Sequence, residues 1–184
     1  MICWRCRERV GGAICAGCGA VQPPPQDPDL FAVLGLGRRF HLDAGALEAA
    51  WKDRSRQVHP DRHTGASAVE RRMALQWTAV VNEARRVLRD PMRRASYLAT
   101  GRTAPAETAG GPPEDPAFLD LVFDWRARAE GGDPAVQAEA GALRGTLAEE
   151  LDAVFRAWEE GRGDLVPVEG ILARIRYLEA FRPA

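Results

Sequence analysis

Residues 43–62, DAGALEAAWKDRSRQVHPDR, decide how this chain is read. Leu47, Ala50 and Trp51 recur at helical spacing, and Lys52, Arg54 and Arg56 add positive charge, so Asp43 to Val58 reads as a basic helix. Pro60 has no backbone N–H and disfavours helical geometry in the residue before it, so this helix ends near His59. After a loop through Thr64 and Gly65, a second helix begins near Ser67. Val69, Met73, Trp77, Val80, Ala84 and Val87 mark its buried face at spacings of four and three. The expected centre of the fold is therefore a helical hairpin whose loop carries His59-Pro60-Asp61-Arg62.

A His-Pro-Asp tripeptide alone reads equally well as a plain helix stop. The flanking sequence separates the two readings. Asp29-Leu30-Phe31-Ala32-Val33-Leu34-Gly35-Leu36 precedes the hairpin, Asn82-Glu83-Ala84 and Val87-Leu88-Arg89-Asp90-Pro91 close it, and Arg93-Arg94-Ala95-Ser96-Tyr97-Leu98 follows. In that order these segments resemble the J domain, the module by which co-chaperones stimulate a DnaK-class ATPase. The resemblance implies that His59, Pro60, Asp61 and Arg62, with Lys52 and Arg56 of the basic helix, engage the chaperone. Arg54 departs from the family, standing where a buried aliphatic residue is usual. Either its stem covers the core while the guanidinium reaches water, or the helix packs loosely there.

The 184 residues suffice for one generous domain or two small ones, and 46% hydrophobic with 28% charged residues fits packed cores under a charged surface. No apolar run reaches the roughly 18 residues of a membrane span. Cys3, Arg5, Arg7 and Arg9 break any signal-peptide core, which predicts a cytoplasmic protein without a membrane partner. The net charge of −1 conceals +2 over residues 1–26, +4 over 27–100 and −7 over 101–184. A basic middle suits an acidic partner, and the acidic end argues against a nucleic-acid clamp along the whole chain.

Cys3-Trp4-Arg5-Cys6 and Cys15-Ala16-Gly17-Cys18 are the four cysteines of the chain. Two such pairs separated by eight residues can bring four thiolates to one tetrahedral ion, with nearby glycines supplying the turns. One structural zinc is the leading reading. A rubredoxin-type iron site and disulfides are the alternatives, and a redox enzyme would need an exposed low-pKa thiol instead. A zinc ribbon can also bind nucleic acid, yet only Trp4 is available here for base stacking. The proline-rich stretch 23–28 reads as a stiff spacer that uncouples this knuckle, residues 1–22, from the hairpin.

Residues 100–115 read as an inter-domain linker, and three helical patterns fill 116–184 as a bundle. The first runs from about Pro116 to Glu130. The second follows Asp133-Pro134, with Val136, Ala140, Leu143, Leu147, Leu151, Val154 and Trp158 facing inward. The third opens at Asp164 and buries Val168, Leu172, Ile175 and Leu178. On the first, Phe118, Val122, Trp125 and Ala129 form the core stripe, leaving Leu119 and Phe123 on its flank. Tyr177 and Phe181 turn away from the stripe of the third. Apolar side chains outside a satisfied core face suggest a partner site.

This order of parts resembles the HscB-type J-proteins, co-chaperones of iron–sulfur cluster biogenesis. In them an N-terminal J domain precedes a three-helix bundle that binds the cluster scaffold IscU, and the animal forms carry a paired-cysteine knuckle. Asp115-Pro116-Ala117-Phe118-Leu119 and Arg174-Ile175-Arg176-Tyr177-Leu178 resemble the family's scaffold-binding segments. The resemblance implies scaffold contact at Leu119, Phe123, Asp124 and Tyr177, with an HscA-class chaperone as the second partner. Asp120 stands where Met is common and Ala127 where an acidic residue is common. The expected whole is all-α: a knuckle over 1–22, a J domain over 29–99 and a bundle over 116–184. No phosphate-binding loop, nucleophile elbow or catalytic carboxylate pair is present, so the expected protein is an adaptor, and ATP hydrolysis belongs to its partner. A J-protein with another client, or a nucleic-acid-binding ribbon, is the competing reading.

Overall fold

The computed structural model describes residues 1–63, 65–103 and 115–182. Among these stand seven α-helices and two 3-10 turns. The only extended pairings described are the isolated antiparallel bridges Ile2–Arg9 and Ile14–Val21. The all-α expectation holds, and the residues fall into two compact units.

The first unit comprises residues 1–38 and 42–90. It holds the cysteine knuckle, α1 (Leu30–Leu34), α2 (Ala44–Val58), the 3-10 turn Pro60–His63 and α3 (Ala68–Arg89). Each helix starts on a side-chain cap. Asp29 accepts from the Phe31 and Ala32 amides, Asp43 from that of Ala46, and Ser67 and Glu70 form a reciprocal capping box at α3. Helices α1 and α2 both pack on α3. Phe31, Leu47, Val58, Ala74, Val81, Ala84 and Leu88 are buried in this core. Arg85 braces its outer edge, pairing with Glu48 at 2.9 Å and lying 4.1 Å over the Trp51 ring.

Two expectations change here, and one open alternative is decided. The buried row of α3 is Glu70, Ala74, Trp77, Val81, Ala84, Val87 and Leu88. Val69 is exposed, and Met73 and Val80 are only half-buried. Trp77, Ala84 and Val87 are buried as expected, while Val69, Met73 and Val80 give way to their next neighbours Glu70, Ala74 and Val81. Arg54 is half-buried with its guanidinium on Gln57 at 3.0 Å. Beside Asp29, Val33 and Trp77 it lines a cleft of about 140 Å³, so its stem covers the core while its head group stays at the rim. The proline-rich stretch 23–28 does not uncouple the knuckle. Val21 and Gln22 are buried, and the Trp77 indole donates to the Gln22 carbonyl at 2.7 Å. Ala13, Ala20 and Val21 form an apolar face that a detached knuckle would leave in water.

The second unit comprises residues 39–41 and those from 91 onward. It contains α4 (Pro91–Thr100), α5 (Pro116–Glu130), α6 (Ala135–Glu159), α7 (Val168–Leu178) and the 3-10 turn Glu179–Phe181. Helix α6 packs on α7, α5 touches both, and α4 packs on α7. The sequence-based J-domain boundary lay at residue 99, whereas the first compact unit ends at Asp90. Most of the expected linker 100–115 lies outside the described residues.

The predicted inward residues Val136, Ala140, Leu147 and Leu151 are buried on α6. So are Val168, Leu172, Ile175 and Leu178 on α7. Leu143, Val154 and Trp158 are half-buried and Ala129 is exposed, while Phe155 is wholly buried. Phe40 stacks on Phe155 with centroids 4.2 Å apart, and His41 bridges Asp152 at 2.8 Å and Glu159 at 2.9 Å. The hydrogen bond to Asp152 outweighs burial, and with Glu159 it holds the His41 pKa above its ordinary value. Phe181, expected to turn away, is buried edge-on to Trp125 at 5.8 Å. The chain tightens into a 3-10 turn at Glu179, so the α-helical facing arithmetic no longer applies there.

Candidate metal centre and partner surfaces

The knuckle is one ten-residue turn built twice, twelve residues apart. Cys3 N donates to Glu8 O at 2.8 Å and Cys15 N to Ala20 O at 3.0 Å. Arg7 N donates to Cys3 O at 3.1 Å and Gly19 N to Cys15 O at 2.8 Å. Val10 N reaches Met1 O at 3.0 Å, and Gln22 N reaches Ala13 O at 2.8 Å. The residue after each second cysteine is left-handed, Arg7 at φ 66° and Gly19 at φ 71°. Each copy presents two thiols to the other.

The four sulfurs lie within 4.8 Å of one another, with Cys3–Cys18 at 3.7 Å and Cys6–Cys15 at 3.6 Å. A tetrahedral ion with bonds of about 2.3 Å needs sulfur–sulfur edges of about 3.8 Å, so the four cysteines fit one metal ion. All four are free thiols, and no disulfide forms among them. Backbone amides point at the sulfurs: Arg5 N reaches Cys3 Sγ at 3.4 Å and Cys6 N at 3.5 Å. Burial pushes the Cys3 thiol up, but the Cys6 and Arg5 amides and the neighbouring sulfurs bring it down to about 6. Cys6 moves the other way. The Glu8 amide pulls it down, but burial and the three neighbouring thiols push it up to about 12. Four thiols this close favour losing their protons to a cation.

In the hairpin loop, Val58 is fully buried while His59, Asp61 and Arg62 are exposed and Pro60 is half-buried. His59 Nδ1 accepts from the Asp61 amide at 3.3 Å and lies 3.5 Å from its carboxylate. Arg62 reaches back to the Arg56 carbonyl at 3.5 Å. Lys52 and Arg56 are exposed on α2, the latter 3.5 Å from Asp53. Imidazole, carboxylate and guanidinium groups therefore stand together in water at the end of a basic helix.

On α5, Phe123 is 62% exposed and Leu121 37%. Leu119 and Tyr177 are half-buried, and the Tyr177 ring meets Phe118 edge-on at 6.4 Å. Tyr177 thus adjoins the start of α5. Asp124 is exposed and lies 3.5 Å from Arg128, which also binds Asp133 at 2.9 Å and Glu139 at 2.7 Å. Sequence reading placed Trp77 only in the core of α3 and missed Gln22 and Glu70; the three together tie the cysteine knuckle to α3. The repeated Ile-Cys-x-x-Cys at 2–6 and 14–18 was a signal for the duplicated turn that brings Gln22 inward.

No protein-family model matches the chain. A Bordetella avium protein described as a co-chaperone protein HscB homolog is 44% identical over 135 residues, 67% of this chain and 80% of the relative. A Ralstonia nicotianae protein of the same description is 40% identical over 120 residues, 62% of this chain and 68% of the relative. Among solved structures, human co-chaperone protein HscB matches with a TM-score of 0.74 at 26% identity, covering 98% of this chain and 94% of its own. The chaperone HscB from Vibrio cholerae shares the fold, with a TM-score of 0.62 at 23% identity over 84% and 93%.

Proposed function

The chain belongs to the HscB family of co-chaperones, and from that membership we propose that it binds an IscU-type iron–sulfur scaffold and delivers it to a DnaK/HscA-class chaperone. The chaperone's ATPase is stimulated through His59, Pro60, Asp61 and Arg62, with Lys52 and Arg56 supplying basic contacts. Hydrolysis is the partner's chemistry. The observation that carries this reading is the loop itself. Its polar side chains stand in water directly after the fully buried Val58, which anchors the end of α2. The J-domain module is proposed to span 29–99, and the scaffold module 116–184. One zinc ion held by Cys3, Cys6, Cys15 and Cys18 is structural, since a closed four-sulfur set leaves no position for substrate. Among the described residues no helix is long and apolar enough to cross a membrane, and we assign the protein to the cytoplasm.

Asp61→Asn and His59→Gln should leave the helical content unchanged, because both side chains are exposed, and should abolish ATPase stimulation. Full stimulation by either variant rejects the assignment. For the scaffold, contact is proposed at Leu119, Phe123, Asp124 and Tyr177. Phe123→Ala is the clean probe because Phe123 is the most exposed of the apolar three. Truncating an aromatic anchor costs about 2 kcal/mol, a loss of 10- to 30-fold in affinity. Calorimetric titration with the scaffold measures it, and the variant should still stimulate the free chaperone. Unchanged scaffold affinity places the contact elsewhere.

A further inference from the structure

Gln22 is wholly buried, and its amide and peptide groups are all engaged. Its side-chain Nε2 donates to Cys3 Sγ at 3.3 Å and to Ala20 O at 2.9 Å, while Oε1 accepts from Trp4 N at 3.2 Å. Its backbone N donates to Ala13 O at 2.8 Å, and its carbonyl accepts from Trp77 Nε1 at 2.7 Å. The amide orientation is forced. Reversed, it would set an oxygen against the Ala20 carbonyl and an NH₂ group against the Trp4 N–H. One residue therefore touches both copies of the knuckle, a metal-ligating sulfur and the core of α3.

A dication held by four thiolates carries a net charge of about −2, which a buried site tolerates only when N–H donors point at the sulfurs. Three do so at Cys3: the amides of Arg5 and Cys6, and the Gln22 side chain. The first two belong to the local turn. Gln22 is the donor that comes from the far side of the knuckle, and its carbonyl is fixed from α3. A second link runs parallel to it. The Glu70 carboxylate, which caps α3, is met by the Val21 amide and lies 3.9 Å from Arg5.

We propose that Gln22 is the outer-shell positioning residue of the metal centre. Through its carbonyl, metal occupancy and the order of the first half of α3, residues 68–77, are thermodynamically linked. Linkage is reciprocal, so whatever loosens α3 at Trp77 weakens the metal site, and whatever empties the site loosens α3. This inference rests on the metal reading of the four cysteines.

Zinc affinity of the full chain, measured by competition with a chromophoric chelator, provides the test. Loss of an outer-shell donor lowers metal affinity by about 10- to 100-fold, and Gln22→Leu should fall in that range. Gln22→Glu keeps the size but sets a carboxylate oxygen against the sulfur, and should lose more than Gln22→Leu. Equal losses would mean that Gln22 only fills space, which overturns the proposal. Trp77→Phe removes a single hydrogen bond to Gln22 and should weaken zinc binding by about 3- to 10-fold. In the unmutated protein, chelating the metal should raise amide hydrogen exchange over 68–77 and leave 79–89 much less affected. Unchanged exchange there, with about one zinc bound per chain, defeats the linkage while the metal reading stands. Failure of the unmutated protein to take up zinc defeats both.

Discussion

The two copies of the cysteine turn share a backbone and differ in what surrounds them. In the first, Met1, Ile2, Trp4, Arg5, Arg7 and Arg9 lie at the surface. In the second, Ala13, Ala20, Val21 and Gln22 are buried. The amide ladder and the left-handed residue recur in both, because bringing two sulfurs of each copy to one point fixes the local backbone. Ligand geometry sets the turn. The side chains at equivalent positions decide which copy faces α3, since short apolar residues can lie against a helix and arginines cannot be stripped of water there.

Equivalent substitutions in the two copies should therefore have unequal effects. Val21 and Arg9 occupy matching positions, 1% exposed and exposed respectively. Val21→Asp buries an unpaired carboxylate and should cost about 3 kcal/mol or more. Arg9→Asp should change stability by less than about 0.5 kcal/mol. Denaturant titration of the zinc-loaded protein measures both, and similar costs would remove the distinction between the copies.

A smaller effect of opposite sign is expected at the left-handed positions. Gly19→Ala should destabilise by about 1 kcal/mol through backbone strain alone, because an added Cβ there meets nothing within 4 Å. Arg7→Gly relieves the same strain in the first copy, and its thermal midpoint should stay level or rise. A fall in both variants would show that Arg7 is held by contacts beyond its turn.

The smallest difference concerns Glu70, which both copies approach. Burial raises its pKa, but the Ser67 backbone and hydroxyl, Arg5 and the Val21 amide together bring it below the ordinary carboxylate value. A depressed acid contributes stability above its unfolded pKa of about 4.3 and loses it as pH falls through the folded value. The stability advantage over Glu70→Gln should thus be full near pH 6 and shrink below about pH 4.3. Using the difference between the two proteins cancels the acid loss of metal common to both. Arg5→Ala should contribute little, because its side chain is 58% exposed and 3.9 Å away. An advantage that persists in acid would sever Glu70 from this account.

Much of the fold was legible. Pro60, Pro91 and Pro116 sit where helices stop or start, and Asp43, Ser67 and Asp115 cap helices through their own side chains. The bundle faces were largely right because α6 and α7 are uninterrupted α-helices of 25 and 11 residues, so one spacing holds along each. The errors arise where packing partners or a local change of helix type override the α-helical spacing. The buried row of α3 and the burial of Phe155 depend on what each element meets, and Phe181 turns inward because the chain passes into a 3-10 turn; α-helical spacing carries neither. At the candidate sites, the cysteines and the His-Pro-Asp loop could be picked out by type and spacing. The half-burial of Leu119 and Tyr177 could not.

By itself the sequence determined the local features: where helices begin and end, that four thiols can meet one ion, and which polar tripeptide occupies the hairpin loop. Caps, prolines and Cys-x-x-Cys turns act over a few residues, so their consequences are written in the chain where they stand. Only the tertiary structure decided that the knuckle lies on α3 and that Gln22 joins the Cys3 sulfur to Trp77, 55 residues away. Such a contact depends on complementary surfaces meeting after the chain has folded back, and no local pattern of residues encodes it.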